Sequence, residues 1–384
     1  MKFVYIFTIV ALCFVSFHPA YSSDVNILHK IDVFISGKDG YHTFRIPALI
    51  KTTQGTLIAF AEGRVNGMDD FGNIDIVLKR SLDNGKSWQQ LQLVQDAGNW
   101  QYGNPCPIVD QNSGRVFLLF CGSHNSEQSI IAGEGTRDIY MSYSDNDGLS
   151  WSDRQNISAM VKKENWRWYA TGPCSGIQIR SGKYKGRLVA PANHSYHDEA
   201  DEWEFRTHSL FSDDQGVTWQ IGASSEAGGN ESQIAEVTDD LLIQDVRMQT
   251  HRKGLRAVRF SHDGGLTWSS IMHDENRPCP KCQGSIISIL SHDDNKMNRL
   301  IVSNPAGGGR TGMALRLSTD GSKSWKEKLV IEPGPSAYSD LTLIENNHIG
   351  CLFEMGAISP YEKITFVTVP LDLLGDEKVI NHIK

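Results

Sequence analysis

The sequence predicts an all-β fold, a six-bladed β-propeller in which each blade is a four-stranded antiparallel sheet. Three observations predict it: a turn motif repeated five times, strand-like runs leading into the copies, and a spacing between copies that suits four strands.

The motif is Ser-x-Asp-x-Gly-x-Ser/Thr-Trp. It occurs as Ser81–Trp88, Ser144–Trp151, Ser212–Trp219, Ser261–Trp268 and Ser318–Trp325, with Asn146 in the Asp place of the second copy and Ser322 in the Gly place of the fifth. Asp and Ser side chains accept hydrogen bonds from nearby backbone N–H groups, and Gly takes a positive φ at little steric cost, so each copy reads as a hairpin turn. The Trp that follows can lie flat across the join between neighbouring units and bury a large apolar area. The runs Ile74–Arg80, Asp138–Tyr143, Leu255–Phe260 and Met313–Leu317 are rich in Ile, Val, Leu, Tyr and Met, as strands are. Successive motif Trp residues are 63, 68, 49 and 57 positions apart, too far for two-stranded hairpins and right for four-stranded blades carrying loop insertions. Five marked blades and one made by the chain ends give six. No helical period or Leu-rich pattern supports a solenoid instead.

Composition sets the surroundings. With 384 residues, 40% of them hydrophobic, the chain can bury a large core. Met1–Ser22 reads as a secretory signal: Lys2, an apolar run from Phe3 to Phe17, then small residues around Ala20. The run is short for a membrane span, and no later stretch suits stable membrane insertion. The expected organisation is a signal over 1–22 and one catalytic-type domain over 23–384, secreted, with a lysosome-like compartment as the other destination. Cys106, Cys121, Cys174, Cys279, Cys282 and Cys351 would then meet oxidising surroundings that favour pairing. Cys279-Pro-Lys-Cys282 reads as a small disulfide loop or two free thiols, since no second CxxC completes a zinc site. His194-x-x-His197 lacks the helical HExxH context and reads as solvated loop histidines, so no metal and no cofactor are expected. Asn156, Asn193 and Asn230 head glycosylation sequons. A net charge of −8 without a basic tract excludes nucleic acid as partner, while local cationic focusing still allows a small anionic substrate.

Some residues are not explained by the repeat. Phe44-Arg45-Ile46-Pro47 precedes an apolar strand. Glu62-Gly-Arg64 leads to the Gly-rich turn Gly67-Met-Asp69-Asp70-Phe-Gly72, which can present a carboxylic acid to a cleft. Further on stand Tyr102-Gly-Asn104-Pro105-Cys-Pro107, Tyr169–Pro173, Gly186–Pro191, Asn230-Glu-Ser232-Gln-Ile-Ala-Glu236, Asn304-Pro…Gly309-Arg310 and Ser336-Ala-Tyr338-Ser-Asp340.

In these segments and in its Asp-boxes the chain resembles the exo-α-sialidases (neuraminidases) of bacterial and animal type, from about Phe44 to Phe366. The resemblance implies a retaining glycosidase that removes terminal α-linked sialic acids from glycoproteins, glycolipids or oligosaccharides. A sialoside carries a carboxylate on its anomeric carbon, which three arginines would neutralise, because guanidinium forks match carboxylates and stay charged. Arg45 and Arg310 match two of them, and Arg64 joins the substrate-binding set. For the middle one, Arg247, Arg252, Arg256 and Arg259 all lie between Glu236 and the fourth box; the resemblance favours Arg256, then Arg252. Tyr338 would be the nucleophile, since a carboxylate nucleophile would be repelled by the substrate's own. Glu236 would take its proton, Asp70 rather than Asp69 would be the acid and then the base, and Glu354 would hold Arg45. Asn193–Tyr196 would line the glycerol or aglycone side of the pocket. Two other readings stand beside hydrolysis: transfer to an acceptor or within the substrate by the same residues, and a non-catalytic glycan-binding propeller, which would not need this catalytic set.

Overall fold

The computed structural model describes residues 28–96, 98–250, 254–290, 297–345 and 347–375; the expected signal over 1–22 lies outside them. The described chain is all-β, with strands paired antiparallel apart from a single parallel bridge.

After β1 (Lys30–Ile35) the strands come in successive sets. The first is β2 (Thr43–Lys51), β3 (Leu57–Arg64), β4 (Ile74–Ser81) and β5 (Gln92–Gln95). The second is β6 (Gln101–Val109), β7 (Val116–Ser123), β8 (Arg137–Ser144) and β9 (Gln155–Asn156). The third is β10 (Trp166–Thr171) and β11 (Ile177–Gln178), both paired with β12 (Leu188–His197), then β13 (Trp203–Ser212) and β14 (Gln220–Ile221). The fourth is β15 (Gly229–Thr238), β16 (Leu241–Met248), β17 (Leu255–Ser261) and β18 (Met272–Pro278). The fifth is β19 (Ser285–Ile289), β20 (Arg299–Pro305), β21 (Thr311–Ser318) and the first half of β22 (Leu329–Leu343). The second half of β22 pairs with β23 (His348–Met355), which pairs with β24 (Lys363–Pro370), and β24 takes β1 as its outer neighbour. The chain ends thus complete one set between them.

Each repeated motif closes a hairpin by the same bonds. In the first, the Gly85 N–H donates to Ser81 Oγ (2.8 Å), the Ser87 N–H to Asp83 Oδ1 (2.9 Å) and the Ser87 hydroxyl to Asp83 Oδ2 (2.6 Å). In the second, Asn146 keeps the acceptor for the Ser150 N–H (2.9 Å) and itself donates to Ser150 Oγ (2.8 Å), so the substitution preserves the turn. A Cβ on Gly85 would stand 2.1 Å from the Phe366 ring, so this glycine is required by packing as well as by its φ of +87°. Ser322 accepts a φ of +71° in the fifth copy. The motif Trp residues do cross the joins: Trp88 packs edge-on against Phe366 (5.4 Å), Trp151 against Phe60 (5.7 Å), and Trp219 donates to Met141 Sδ.

The innermost strands meet one another. β2 lies beside β6 and β22, β6 beside β11, β15 beside β19 and β19 beside β22, while β12 carries the contact to β15. At their meeting point sits the buried carboxylate of Asp340. Its Oδ2 accepts from the Leu49 N–H (2.9 Å) and the Ser175 N–H (2.8 Å), and its Oδ1 from Gln233 Nε2 (3.0 Å) and Ser285 Oγ (3.0 Å). Burial pushes this carboxyl above its ordinary range, against the pull of those donors.

Several sequence expectations are corrected here. All six described cysteines are buried and unpaired, so the expected pairing is not found, and of the two readings of Cys279 and Cys282 the free thiols hold: each thiol sits within packed strands or a packed loop. Asn193 and Asn230 are buried strand residues, whereas Asn156 is exposed. His194 and His197 are not solvated loop residues but lie buried on β12. His194 stacks on Trp166 (3.5 Å) and its Nδ1 is 3.0 Å from Nδ1 of His208, whose Nε2 meets the Tyr169 hydroxyl (2.9 Å). Burial holds both His194 and His208 well below the ordinary histidine range.

Replacing Asp340 by Ala orphans at least four buried donors, and should lower unfolding stability by about 3 kcal/mol or more in denaturant titration. Because His194 and His208 stay neutral when folded but protonate when unfolded, stability is retained above about pH 6.5 and lost below it. Each should contribute a loss of up to about 2 kcal/mol at pH 5 relative to pH 7, and equal stability at the two pH values would refute this.

Candidate active site

Four innermost strands are interrupted at one level. The register slips between Arg45 and Ala48 on β2, Gly103 and Cys106 on β6, Gly229 and Ser232 on β15, and Ser336 and Ser339 on β22. Such bulges re-aim side chains, and Arg45, Asn104, Glu231 and Tyr338 sit in them. Ile46 and Asn104 each take a φ of +57° directly before a proline, which gives the ladder no N–H to lose.

Tyr338 lies two residues before Asp340 on β22, and Glu231 two before Gln233 on β15. The Gln233–Asp340 bond at the centre holds β15 and β22 together, and the bulges just above it turn Glu231 and Tyr338 toward one another. The Tyr338 hydroxyl donates to Glu231 Oε1 at 2.6 Å and accepts from Arg247 Nη1 at 2.7 Å. Arg247 Nη1 also donates to Glu231 Oε2, and its Nη2 to Gln249 Oε1 (2.6 Å). Burial pushes the phenol well above the ordinary tyrosine range and Glu231 adds to this, while Arg247, Arg310 and Arg45 oppose it.

Arg45 and Arg310 flank the same ring, their guanidinium carbons 5.2 and 5.3 Å from its centroid. Arg45 is held by the fully buried Glu354, through Nε to Oε1 (3.0 Å) and Nη2 to Oε2 (3.3 Å). Glu354 also accepts from the N–H groups of Ile46 (2.9 Å) and Tyr338 (3.1 Å), so one carboxylate sets the arginine and both bulged strands. Arg310 donates to the Tyr361 hydroxyl (2.6 Å) and to the Lys281 carbonyl (2.8 Å). Asp70 reaches in from its exposed loop to Arg64 Nη2 (2.7 Å) and Arg45 Nη1 (3.3 Å). Desolvation raises the Asp70 carboxyl, but Arg64 and Arg45 outweigh it and hold the group below its ordinary range. Arg64 is fixed in turn by Glu62 Oε2 (2.7 Å) and the Met68 carbonyl (2.6 Å).

Arg45, Arg64, Asp70, Arg310, Tyr338 and Glu354 therefore converge as the sequence led one to expect, and two residues do not. Glu236 lies five positions beyond Glu231, roughly 16 Å along the strand at about 3.3 Å per residue. There it accepts from the Arg180 N–H (2.9 Å) and Nε (2.6 Å), beside a cavity of about 360 Å³ that Lys51 and Ser288 also line. Glu231 occupies the place expected of Glu236. Arg256 is fully buried on β17, bonded to Asp245 Oδ2 (2.8 Å) and the Cys282 carbonyl (3.0 Å). Arg247 stands in its stead, because β16 returns antiparallel to β15 with Val246 opposite Ser232 and Met248 opposite Gly229. Arg259 is interior too, bonded to Gln244 and lowered by burial to about 9, while Arg252 lies outside the described residues. The Asn193 side chain turns to the Ala170 carbonyl and Ser195 Oγ takes the Trp168 N–H, so both serve their sheet rather than the cleft. In the sequence, the period-two step from Gln233 points to Glu231 and not to Glu236.

Two buried guanidinium groups and a half-buried third, around a phenol that shares its proton with a carboxylate, can bind an anion beside a nucleophile. Arg45, Arg247 and Arg310 supply the cations, and each remains charged: burial works against the charge, but nearby anionic and phenolic groups outweigh it. Among the described residues, no group of three His, Cys, Asp or Glu could hold a metal ion.

A family model described as a BNR repeat-like domain matches residues 55–351. A sialidase of Micromonospora viridifaciens is 30% identical over 342 residues, which cover 85% of this chain and 52% of that protein, so the chain spans about half its relative's length. An exo-alpha-sialidase of Aspergillus fumigatus is 30% identical over 352 residues, covering 82% of this chain and 79% of its own. Among solved structures, the Hadza microbial sialidase Hz136 superposes with a TM-score of 0.78 at 28% identity, over 90% of this chain and 69% of that one.

Replacing Arg256 by Ala should leave Asp245 short of a buried cation and cost about 3 kcal/mol of stability, read as a lowered unfolding midpoint. Replacing Arg247 by Ala should remove binding of carboxylate ligands by calorimetry, whereas the folded Arg256→Ala protein should keep it.

Proposed function

The chain belongs to the sialidase family, and from that premise we propose that it is a retaining exo-α-sialidase hydrolysing terminal α-linked sialic acids of glycoproteins, glycolipids or oligosaccharides. The observation that carries the reading is the Tyr338 hydroxyl, bonded at once to Glu231 and Arg247, with Arg45 and Arg310 beside its ring.

Arg45, Arg247 and Arg310 bind the sialoside carboxylate and so place the anomeric carbon over Tyr338. The phenol attacks that carbon as its proton passes to Glu231, and Asp70 gives a proton to the departing glycosidic oxygen. In the free protein Arg45 and Arg64 hold Asp70 ionised. A substrate carboxylate on Arg45 weakens that hold and lets Asp70 carry the proton it must deliver. Asp70 then takes a proton from water, which displaces Tyr338 from the anomeric carbon, and Glu231 returns its proton to the phenolate. Two displacements at one carbon retain configuration.

The same reading closes the six strand sets into a propeller, supported by the contacts among the innermost strands and by the first strand completing the last set. It also takes 23–384 as one domain behind a signal over 1–22, acting outside the cell or in a lysosome-like compartment. Among the described residues no helix is long and apolar enough to cross a membrane.

Replacing Tyr338 by Phe should abolish turnover of a fluorogenic sialoside without changing the unfolding midpoint. Glu231→Gln should lower kcat by about 100-fold or more, whereas Glu236→Gln should stay within about twofold of the wild type. The reverse order would return the base role to Glu236.

A further inference from the structure

We propose that Tyr361 is a fourth member of the anion site, donating its phenolic proton to the substrate carboxylate while it fixes two of the three arginines. This rests on the sialidase reading above.

Tyr361 follows β23 in the loop that leads to β24. Its ring lies under the Arg45 guanidinium at 4.1 Å from the centroid, closer than the Tyr338 ring at 5.2 Å. Its hydroxyl accepts from Arg310 Nη1 at 2.6 Å. One side chain therefore touches both arginines, by a cation–π contact on one and a charge-assisted hydrogen bond on the other. A phenol that accepts from Arg310 still has its own proton to give, and among the described residues none takes it. An anion lodged between Arg45 and Arg310 lies within reach of that proton.

The loop is built to hold this ring still. The Glu362 carboxylate accepts from the N–H groups of Ala357 (3.0 Å), Ile358 (2.8 Å) and Ser359 (2.8 Å), closing the turn on itself. Ser36 anchors it from the end of β1, its N–H bonding the Glu362 carbonyl (3.0 Å) and its hydroxyl the Tyr361 carbonyl (2.9 Å). Ile358 is left 92% exposed by the same turn, so what the turn sets into the interior is the Tyr361 ring, packed against Ile46, Cys282, Ala337 and Tyr338. A turn with that much bracing serves the residue it presents.

The test is Tyr361→Phe, which keeps the ring on Arg45 and deletes the hydroxyl, read beside Tyr361→Leu, which removes both. For a fluorogenic α-sialoside, Phe should raise KM by about tenfold with kcat within about twofold, as expected for loss of a bond made equally in ground and transition states. Leu should raise KM further. In calorimetry, the unsaturated sialic acid analogue with a free carboxylate should bind the Phe variant about tenfold more weakly than the wild type, while its methyl ester should bind both alike. An unchanged KM and unchanged carboxylate affinity in the Phe variant, with active wild type, overturns the role of Tyr361 alone. Equal losses for acid and ester overturn it too, because they mark a general structural defect. A wild type that turns over no sialoside overturns the sialidase reading and this proposal with it.

Discussion

Everything in the site hangs from the carboxylate of Asp340. It is buried where the innermost strands meet, and it accepts from the backbone of Leu49 and Ser175 and from the side chains of Gln233 and Ser285. These donors come from four different strand sets, so one residue sets the relative height of most of the structure. Burying a charge is unfavourable unless its lone pairs are all used, and here they are. The next level up is anchored by it: Gln233 against Asp340 holds the two strands from which the bulged Glu231 and Tyr338 meet.

Above that level the strands depart from regular pairing together. The slips at Arg45, Asn104, Glu231 and Tyr338 open the ladders around the arginine cluster, and two are made by a residue of positive φ before a proline. Glu354 then repairs part of what the bulges undo, taking the freed N–H groups of Ile46 and Tyr338 while it grips Arg45. Backbone irregularity and cation placement are thus one arrangement. The opposite ends of the strands carry the repeated turns, which are regular because they serve packing alone, with Trp and Gly matched to side chains of the next set.

The electrostatics follow from this crowding of cations. Three arginines share one small volume, and each is kept charged by a different partner: Glu354 for Arg45, Glu231 for Arg247, and the phenols of Tyr361 and Tyr338 with Cys282 for Arg310. Arg310 has no carboxylate in direct contact, and Asp70 acts on it only through the shared field. Asp70 answers to the same field. Its carboxylate sits on Arg45 and Arg64 from an exposed loop, so it can yield that position to a substrate and change its own proton affinity in doing so.

What the sequence determined by itself was whatever short-range chemistry writes locally. The five turns, the strands before them, the all-β class, and the residues Arg45, Arg64, Asp70, Arg310, Tyr338 and Glu354 all stand in local motifs whose spacing is meaningful within a few residues. What only the tertiary structure decided was which of several equivalent residues along one strand reaches the centre. Glu231 and Glu236 share a segment, and Arg247 and Arg256 flank the same turn. A strand alternates faces every residue and advances about 3.3 Å with each, so choosing between such candidates requires the register of its neighbours. That register comes from the Gln233–Asp340 bond across 107 positions and from the antiparallel return of β16 on β15. The contacts of Tyr361 with Arg45 and Arg310, and of His194 with His208, were decided by the fold for the same reason: nothing nearby in the chain announces a partner that folding brings from elsewhere.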